Sequence, residues 1–304
     1  MMLRKCVAAA KYVLELAPPG PDLRVYRDDV FLISYPKSGN TWTRFLVGNL
    51  VSEDRAVDFL SIPEIIPHID VMPKRFFESM PRPRIINCHE PFDPRYKRVI
   101  YVVRDPRDVA VSLYHFQRKR RTIDDSYPME QFLTRFLAGD NVFPPRMGSW
   151  AQNVASWIAA RQNTSGFLLL RYEDLLADAE GELAKVACLL GIKITPQRLA
   201  RAVESSSAGS MRDLEKCQGE RWHQSKGTRT DIPFVRSASA GGWRSILSPA
   251  CVAQMESVWG DIMTRLGYEL SAAASPQASV DIGDGPSRLG APHPLRRALS
   301  SLSS

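Results

Sequence analysis

Residues 30–46 read VFLISYPKSGNTWTRFL, and this stretch restricts the chain more than any other. It opens on Val30-Phe31-Leu32-Ile33, a short apolar run with the length and β-branched content of a buried strand. A turn follows, Tyr35-Pro36-Lys37-Ser38-Gly39-Asn40, and a helical pattern starts at Thr41-Trp42. A strand that stops in a turn and runs straight into a helix directs the first backbone N–H groups of that helix at one spot. Unsatisfied donors and the helix dipole together make the spot attractive to anions. Lys37 adds a cation, and Ser38 and Thr41 add hydroxyl donors. The stretch therefore predicts a phosphate cradle. It is not the nucleoside-triphosphate loop G-x-x-x-x-G-K-[ST], because here the lysine precedes the only glycine.

Strands and helices alternate onward from Val30. Arg84 to Cys88 reads as a strand ending at His89, and Lys97 to Val103, KRVIYVV, is the strongest strand signal. Asp105-Pro106 then supplies an N-cap and a first-turn proline for a helix to about Arg118, with Val109, Leu113 and Phe116 on one face. Trp150 to Arg161 is helical and Phe167 to Leu170 a strand. Asp174 to Leu190 is a helix ended by Gly191, and Thr195-Pro196 opens another. Two proline-bearing stretches lack clean periodicity: Ile62 to Pro83 reads as loops with short helices, and Arg121 to Gly148 as a looser region. Within and beside them, the loops Ile62 to Met80 and Arg121 to Ser149 are expected to face a substrate. The alternation implies α/β architecture, a single domain with a central parallel sheet flanked by helices. Residues 25–270 form that domain, 1–24 an N-terminal amphipathic segment, and the Ser-, Ala-, Pro- and Gly-rich residues 271–304 a disordered tail.

At 304 residues, 44% hydrophobic and 24% charged, the chain has the makings of an ordinary core. The net charge of +7 suits an anionic ligand but does not choose among a small anion, nucleic acid and an acidic membrane. The densest basic run, Arg118 to Arg121, reads as a solvated helix end. Five scattered cysteines without C-x-x-C spacing point to a reducing, cytoplasmic setting and away from a disulfide framework or a zinc site. No apolar run has the length of a membrane span, and Lys11 cuts short the only stretch resembling a secretion signal. Weak peripheral membrane contact through the N-terminal segment is the remaining membrane role.

A second constellation runs Tyr101-Val102-Val103-Arg104-Asp105-Pro106-Arg107-Asp108-Val109-Ala110-Val111-Ser112. An arginine at the carboxyl end of a buried strand points into the crevice where open α/β sheets bind ligands. Ser112 lies about two helical turns on, and a guanidinium forks onto phosphate, so Arg104 with Ser112 suits a terminal phosphomonoester. YPKSGNTW and this segment resemble the 5′-phosphosulfate loop and the 3′-phosphate motif of the cytosolic-type sulfotransferases. Those enzymes use 3′-phosphoadenosine 5′-phosphosulfate (PAPS). The resemblance continues in the family's order from Val30 to Tyr268. Arg171-Tyr172-Glu173-Asp174-Leu175 places a tyrosine at the adenine-contacting position, and Ser206 opens an adenine-side segment. Phe234-Val235-Arg236 followed by Gly241-Gly242-Trp243 looks like the C-terminal phosphate clamp. The resemblance implies donor contacts from Lys37, Ser38, Gly39, Asn40, Thr41, Trp42, Arg104, Ser112, Tyr172, Ser206 and Arg236, with no metal.

His89 fits the family's catalytic histidine. The resemblance thus implies sulfuryl transfer from PAPS to a hydroxyl or amine of a small-molecule, lipid or carbohydrate acceptor, and no nucleic-acid partner. His89 would act as base and Lys37 would stabilise the leaving oxygen. Several positions depart from the pattern. Asn87 stands where the family usually has lysine, Ser237 and Ala238 replace the Lys-Gly of the clamp, and Ala208 replaces a phenylalanine. These departures motivate one rival reading, a non-catalytic binder of a phosphoadenosine nucleotide. A P-loop nucleotide kinase is the other, opposed by the glycine pattern. The sequence names neither the acceptor nor the oligomeric state.

Overall fold

The computed structural model describes residues 17–52, 55–140 and 145–271. Most of the N-terminal segment expected over 1–24, and all but the first residue of the tail expected over 271–304, lie outside the described residues. Residues 17–24 pack onto the domain: Leu23 is buried in the core, and Pro18 to Pro21 border the main cavity.

Four strands form the sheet among the described residues: β1 Val30–Ser34, β2 Ile85–Cys88, β3 Arg98–Val103 and β4 Phe167–Arg171. Their order is β2-β1-β3-β4 and every pair is parallel, so Phe31 lies beside Ile86 on one side and Val99 on the other. Strand side chains alternate between faces. Phe31, Ile33, Val99, Tyr101 and Val103 enter one apolar cluster with Trp150, Trp157 and Trp259, while Val30, Leu32, Ile100 and Val102 enter another with Phe45, Leu46 and Trp222. Two buried faces explain why the inner strands read as unbroken apolar runs rather than as alternation. The chain leaves β1 for β2 on one side and then crosses to β3 on the other. This reversal opens a crevice at the carboxyl ends of the strands, the place where sheets of this kind bind ligands.

Helix α1, Asn40–Val51, follows β1 directly, and the Ile62–Pro83 stretch holds two short helices, α2 Ile62–Ile65 and α3 Lys74–Ser79. Helix α4, Pro106–Lys119, begins as expected, with Asp105 accepting from the Arg107 N–H. Three readings are corrected. The region from Arg121 to Gly148 is not uniformly loose, since Met129–Ala138 forms helix α5. Pro128 caps this helix rather than preventing it, and Phe132, Leu133 and Phe136 bury its inner face. The single helix expected over Asp174 to Leu190 is two, α7 Tyr172–Ala177 and α8 Ala179–Leu190, after α6 Trp150–Arg161. Asp178 divides them because its carboxylate accepts the Gly181 N–H as an N-cap, which draws its backbone away from helical geometry. Thirdly, the basic run is not simply solvated: Lys119 is 3% exposed and donates to the carbonyls of Arg229 and Ile232.

Helix α9, Pro196–Ser205, starts at the expected Thr195 cap. Helices α10, Ala208–Gln218, and α11, Pro249–Arg265, complete the domain. Arg107 joins α11 to the end of β3: its guanidinium, 2% exposed, bridges Asp105 at 2.7 Å and Glu256 at 2.6 Å and stacks on Trp243. No helix among the described residues is long and apolar enough to cross a membrane.

Candidate active site

A cavity of about 900 Å3 opens at the carboxyl ends of the strands. Its first wall is the turn after β1. Lys37 adopts a left-handed φ of 70° and Gly39 one of 96°. The reversal delivers α1 with no side-chain cap, so the N–H groups of Asn40, Thr41 and Trp42 begin the helix without partners. Gly39 admits no side chain, because a Cβ there would lie 2.4 Å from Tyr172 Cδ2. The Lys37 ammonium rests between the rings of Phe116 and Phe234, 4.1 and 4.4 Å from their centroids. Burial, with the neighbouring charges of Arg104 and Arg236, lowers its pKa to about 7. An anion in the cradle would return it to the charged form.

Arg104 emerges from β3 and lies 4.3 Å over the Tyr172 ring, itself at the end of β4. Its Nη2 donates to the Ser239 carbonyl at 2.9 Å, Asp108 is 3.8 Å away, and its buried Nε has no partner. Asp108 also accepts the N–H groups of Gly241 and Trp243, which fixes the far end of the clamp. Glu215 does the same nearer the cavity by accepting from Phe234 and Val235. Arg236 stands on this braced segment beside Arg104, and no carboxylate among the described residues pairs with it within ion-pair range. Ala238, one of the departures from the family pattern, takes a φ of 51°, where glycine fits without a Cβ penalty.

The opposite half of the cavity carries two histidines with ring centroids 5.1 Å apart, His89 and His68. His89 Nδ1 is 2.6 Å from the Ser34 carbonyl, which can only accept, so the proton sits on Nδ1 and the Nε2 lone pair is free. Burial lowers the His89 pKa to about 4. His68 has the other tautomer: its Nδ1 accepts the Asp70 N–H, leaving Nε2 as a donor. Asn87 lies beneath, and its Oδ1 accepts from Asn40 Nδ2 at 2.8 Å, which also donates to Ser34 Oγ. Arg146 is held by Asp70 and Glu90. Arg44, one turn along α1 from Asn40, donates to the Ile66 carbonyl at 2.6 Å.

Of the residues expected at the site, Lys37, Gly39, Asn40, Thr41, Trp42, His89, Arg104, Ser112, Tyr172 and Arg236 all border this cavity. Ser38 and Ser206 do not. Ser38 is fully buried, its N–H committed to the Tyr35 carbonyl. Ser206 is also fully buried; its hydroxyl accepts from Asn49 and its carbonyl from Trp42 Nε1. Ser206 therefore orients Trp42, which meets Tyr172 edge to face, and does not present its own hydroxyl. His68 and Arg44 were not singled out as site residues. A histidine in an aperiodic stretch and an arginine inside a helix give no local signal; only the pairing of Ile69 and Asn87 backbones, next to His89, brings His68 in.

The family described as the sulfotransferase domain matches residues 27–267. Bovine sulfotransferase 1A1 is 28% identical over 262 residues, covering 81% of this chain and 87% of the relative. Mouse sulfotransferase 2B1 is 29% identical over 246 residues, covering 78% and 71%. Among solved structures, mouse sulfotransferase SULT7A1, complexed with PAP, superposes with a TM-score of 0.64 at 25% identity over 82% of this chain and 89% of that one. A retinol dehydratase, in complex with retinol and PAP, shares the fold with a TM-score of 0.67 at 21% identity, covering 82% and 84%. With the family's match spanning the sheet, the cradle and the clamp, the chain is an enzyme of the sulfotransferase domain family.

Proposed function

We propose that the cavity binds PAPS along Lys37, Arg104 and Arg236 and passes its sulfuryl group to a hydroxyl or amine of a small-molecule acceptor beside His89. The observation that carries this is the meeting, in one cavity, of an uncapped helix N-terminus and its lysine with a histidine whose Nε2 is free. The residues fit the nucleotide on structural grounds. Gly39 and Tyr172 pack without room for a Cβ, and Arg104 keeps a buried N–H without a partner. The PAP complexes of SULT7A1 and retinol dehydratase support the same donor.

PAPS, when bound, supplies the sulfuryl group to be transferred. The chain's own residues do the rest. Arg104, with Ser112 and Arg236, holds the 3′-phosphate end, and Tyr172 with Trp42 forms the aromatic wall for the base. The α1 N–H groups and Lys37 present positive charge where charge builds during transfer. His89 takes the acceptor proton at Nε2, and its Nδ1–H bond to Ser34 stabilises the resulting imidazolium. Asn87 brings no charge, so Lys37 carries that task without a second lysine.

Calorimetry with adenosine 3′,5′-bisphosphate and AMP tests the donor assignment. The bisphosphate should bind far better, and Arg104→Ala should remove about 2–4 kcal/mol of that preference. Equal affinity for the two nucleotides would overturn the reading.

A further inference from the structure

We propose that Arg44, assisted by His68, holds an oxyanion of the acceptor, so that this enzyme selects hydroxyl or amine compounds bearing a carboxylate or phosphonate-like group. The inference rests on the sulfotransferase reading and goes further by naming the acceptor's chemistry. Arg44 is 3% exposed and borders the cavity. Its Nη2 serves the Ile66 carbonyl, its Nε has no partner, and no carboxylate among the described residues lies within ion-pair range of it. A buried guanidinium without a counter-ion is costly to a fold, and breaking even with that cost calls for an anion. Burial lowers its pKa only to about 10, so it remains charged at neutral pH.

Its place in the fold assigns that anion to the acceptor half. Asn40 and Arg44 are one helical turn apart, and Asn40 reaches Asn87 on β2, the strand that leads into His89. Ile66, the partner of Arg44, lies two residues before His68, whose Nε2–H is a donor. The groups proposed for the donor, Arg104, Tyr172 and Arg236, instead follow β3, β4 and the clamp. Charge around the cavity agrees. Lys37, Arg104 and Arg236 are assigned to the nucleotide, and Arg146 is neutralised by Asp70 and Glu90. Arg44 is left as the buried cation with no assigned anion among the residues bordering the cavity.

The test uses the full chain saturated with adenosine 3′,5′-bisphosphate and three matched acceptor pairs in calorimetry. These are 4-hydroxyphenylacetate and its amide, 12-hydroxydodecanoate and its amide, and 4-hydroxybenzylphosphonate and its diethyl ester. At least one anion should bind tenfold or more tightly than its neutral partner. Arg44→Gln, which keeps an N–H for Ile66, should abolish the difference, and Arg44→Lys should retain part of it. Both variants should bind the bisphosphate within twofold of the parent, which separates this outcome from failure of the donor assignment. The proposal is overturned if no pair shows the tenfold preference, or if the preference survives in Arg44→Gln. It is also overturned if Arg44→Gln weakens PAPS but not the bisphosphate, because the cation would then serve the donor's sulfonate.

Discussion

At the scale of single residues, His89 and Lys37 are set against one another by burial. In the free enzyme His89 titrates at about 4 and Lys37 at about 7, each chiefly because the charged form is desolvated. The base is thus neutral through the physiological range, and the lysine loses its charge as pH rises through neutrality. The profile of kcat/KM for the donor, which reports the free enzyme, should fall above about pH 7 and stay level down to about pH 5. A limb near the ordinary imidazole value of about 6.5 would contradict the burial argument. His89→Ala should lower turnover roughly 10²–10⁴-fold with bisphosphate affinity intact, whereas Lys37→Ala should damage both and remove the alkaline limb. Full activity in His89→Ala would rule out the histidine as base. Much of this was legible beforehand: a lysine in a strand–turn–helix junction and a histidine at a strand end announce their positions. Their protonation states were not, because those depend on the Ser34 carbonyl and on rings brought from Phe116 and Phe234.

Among the elements, the join between α4 and α11 depends on one guanidinium. Arg107 bridges Asp105 and Glu256, and Glu256, 3% exposed, also accepts from the Ser271 N–H. Removing the cation leaves two carboxylates facing each other in the interior. Arg107→Met should therefore cost about 3–5 kcal/mol in urea unfolding; a loss below about 1 kcal/mol would show that the network is dispensable. Sequence reading caught Asp105 as a cap but could not bring Glu256 to Arg107, since the two are 149 residues apart. The same distance effect hid α5. Its pattern is short and bracketed by prolines, and its apolar residues make sense only against Tyr114 and Trp259 from other helices. Strands were easier. Two-sided burial makes each a local apolar run that needs no knowledge of its neighbours.

For the molecule as a whole, histidines held neutral by their surroundings set a limit on the acid side. His68, His89, His115 and His223 are all held below the ordinary value, each mainly by burial. Unfolded, they would take up protons at about pH 6.5; folded, His89, His115 and His223 resist until about 4, and His68 is likewise held well below its ordinary value. Stability is therefore complete above pH 6.5 and declines as pH falls toward 4. The slope is about 1.4 kcal/mol per pH unit for each histidine that stays neutral. The inner pair, His68 and His89, should dominate, because His223 is exposed and its charge is screened. Melting temperature followed from pH 7 to 4.5 should drop, and a His68→Gln/His89→Gln double variant should flatten the curve. An equally steep drop in that variant would place the acid sensitivity elsewhere. At this scale the parallel α/β sheet was legible from the alternation of its segments. The gathering of distant Arg44, His68 and Arg146 around one cavity was not.

Asn40 belongs to both halves of the cavity: its N–H stands at the head of the cradle, while its amide holds the Asn87 oxygen and the Ser34 hydroxyl. A lysine at position 87 would withdraw the acceptor that Asn40 uses and set an ammonium against its NH2 donors. The two asparagines therefore form a matched pair: seating a lysine at position 87 requires the Asn40 amide to turn its oxygen toward the new ammonium, which breaks the present contacts to Asn87 and Ser34.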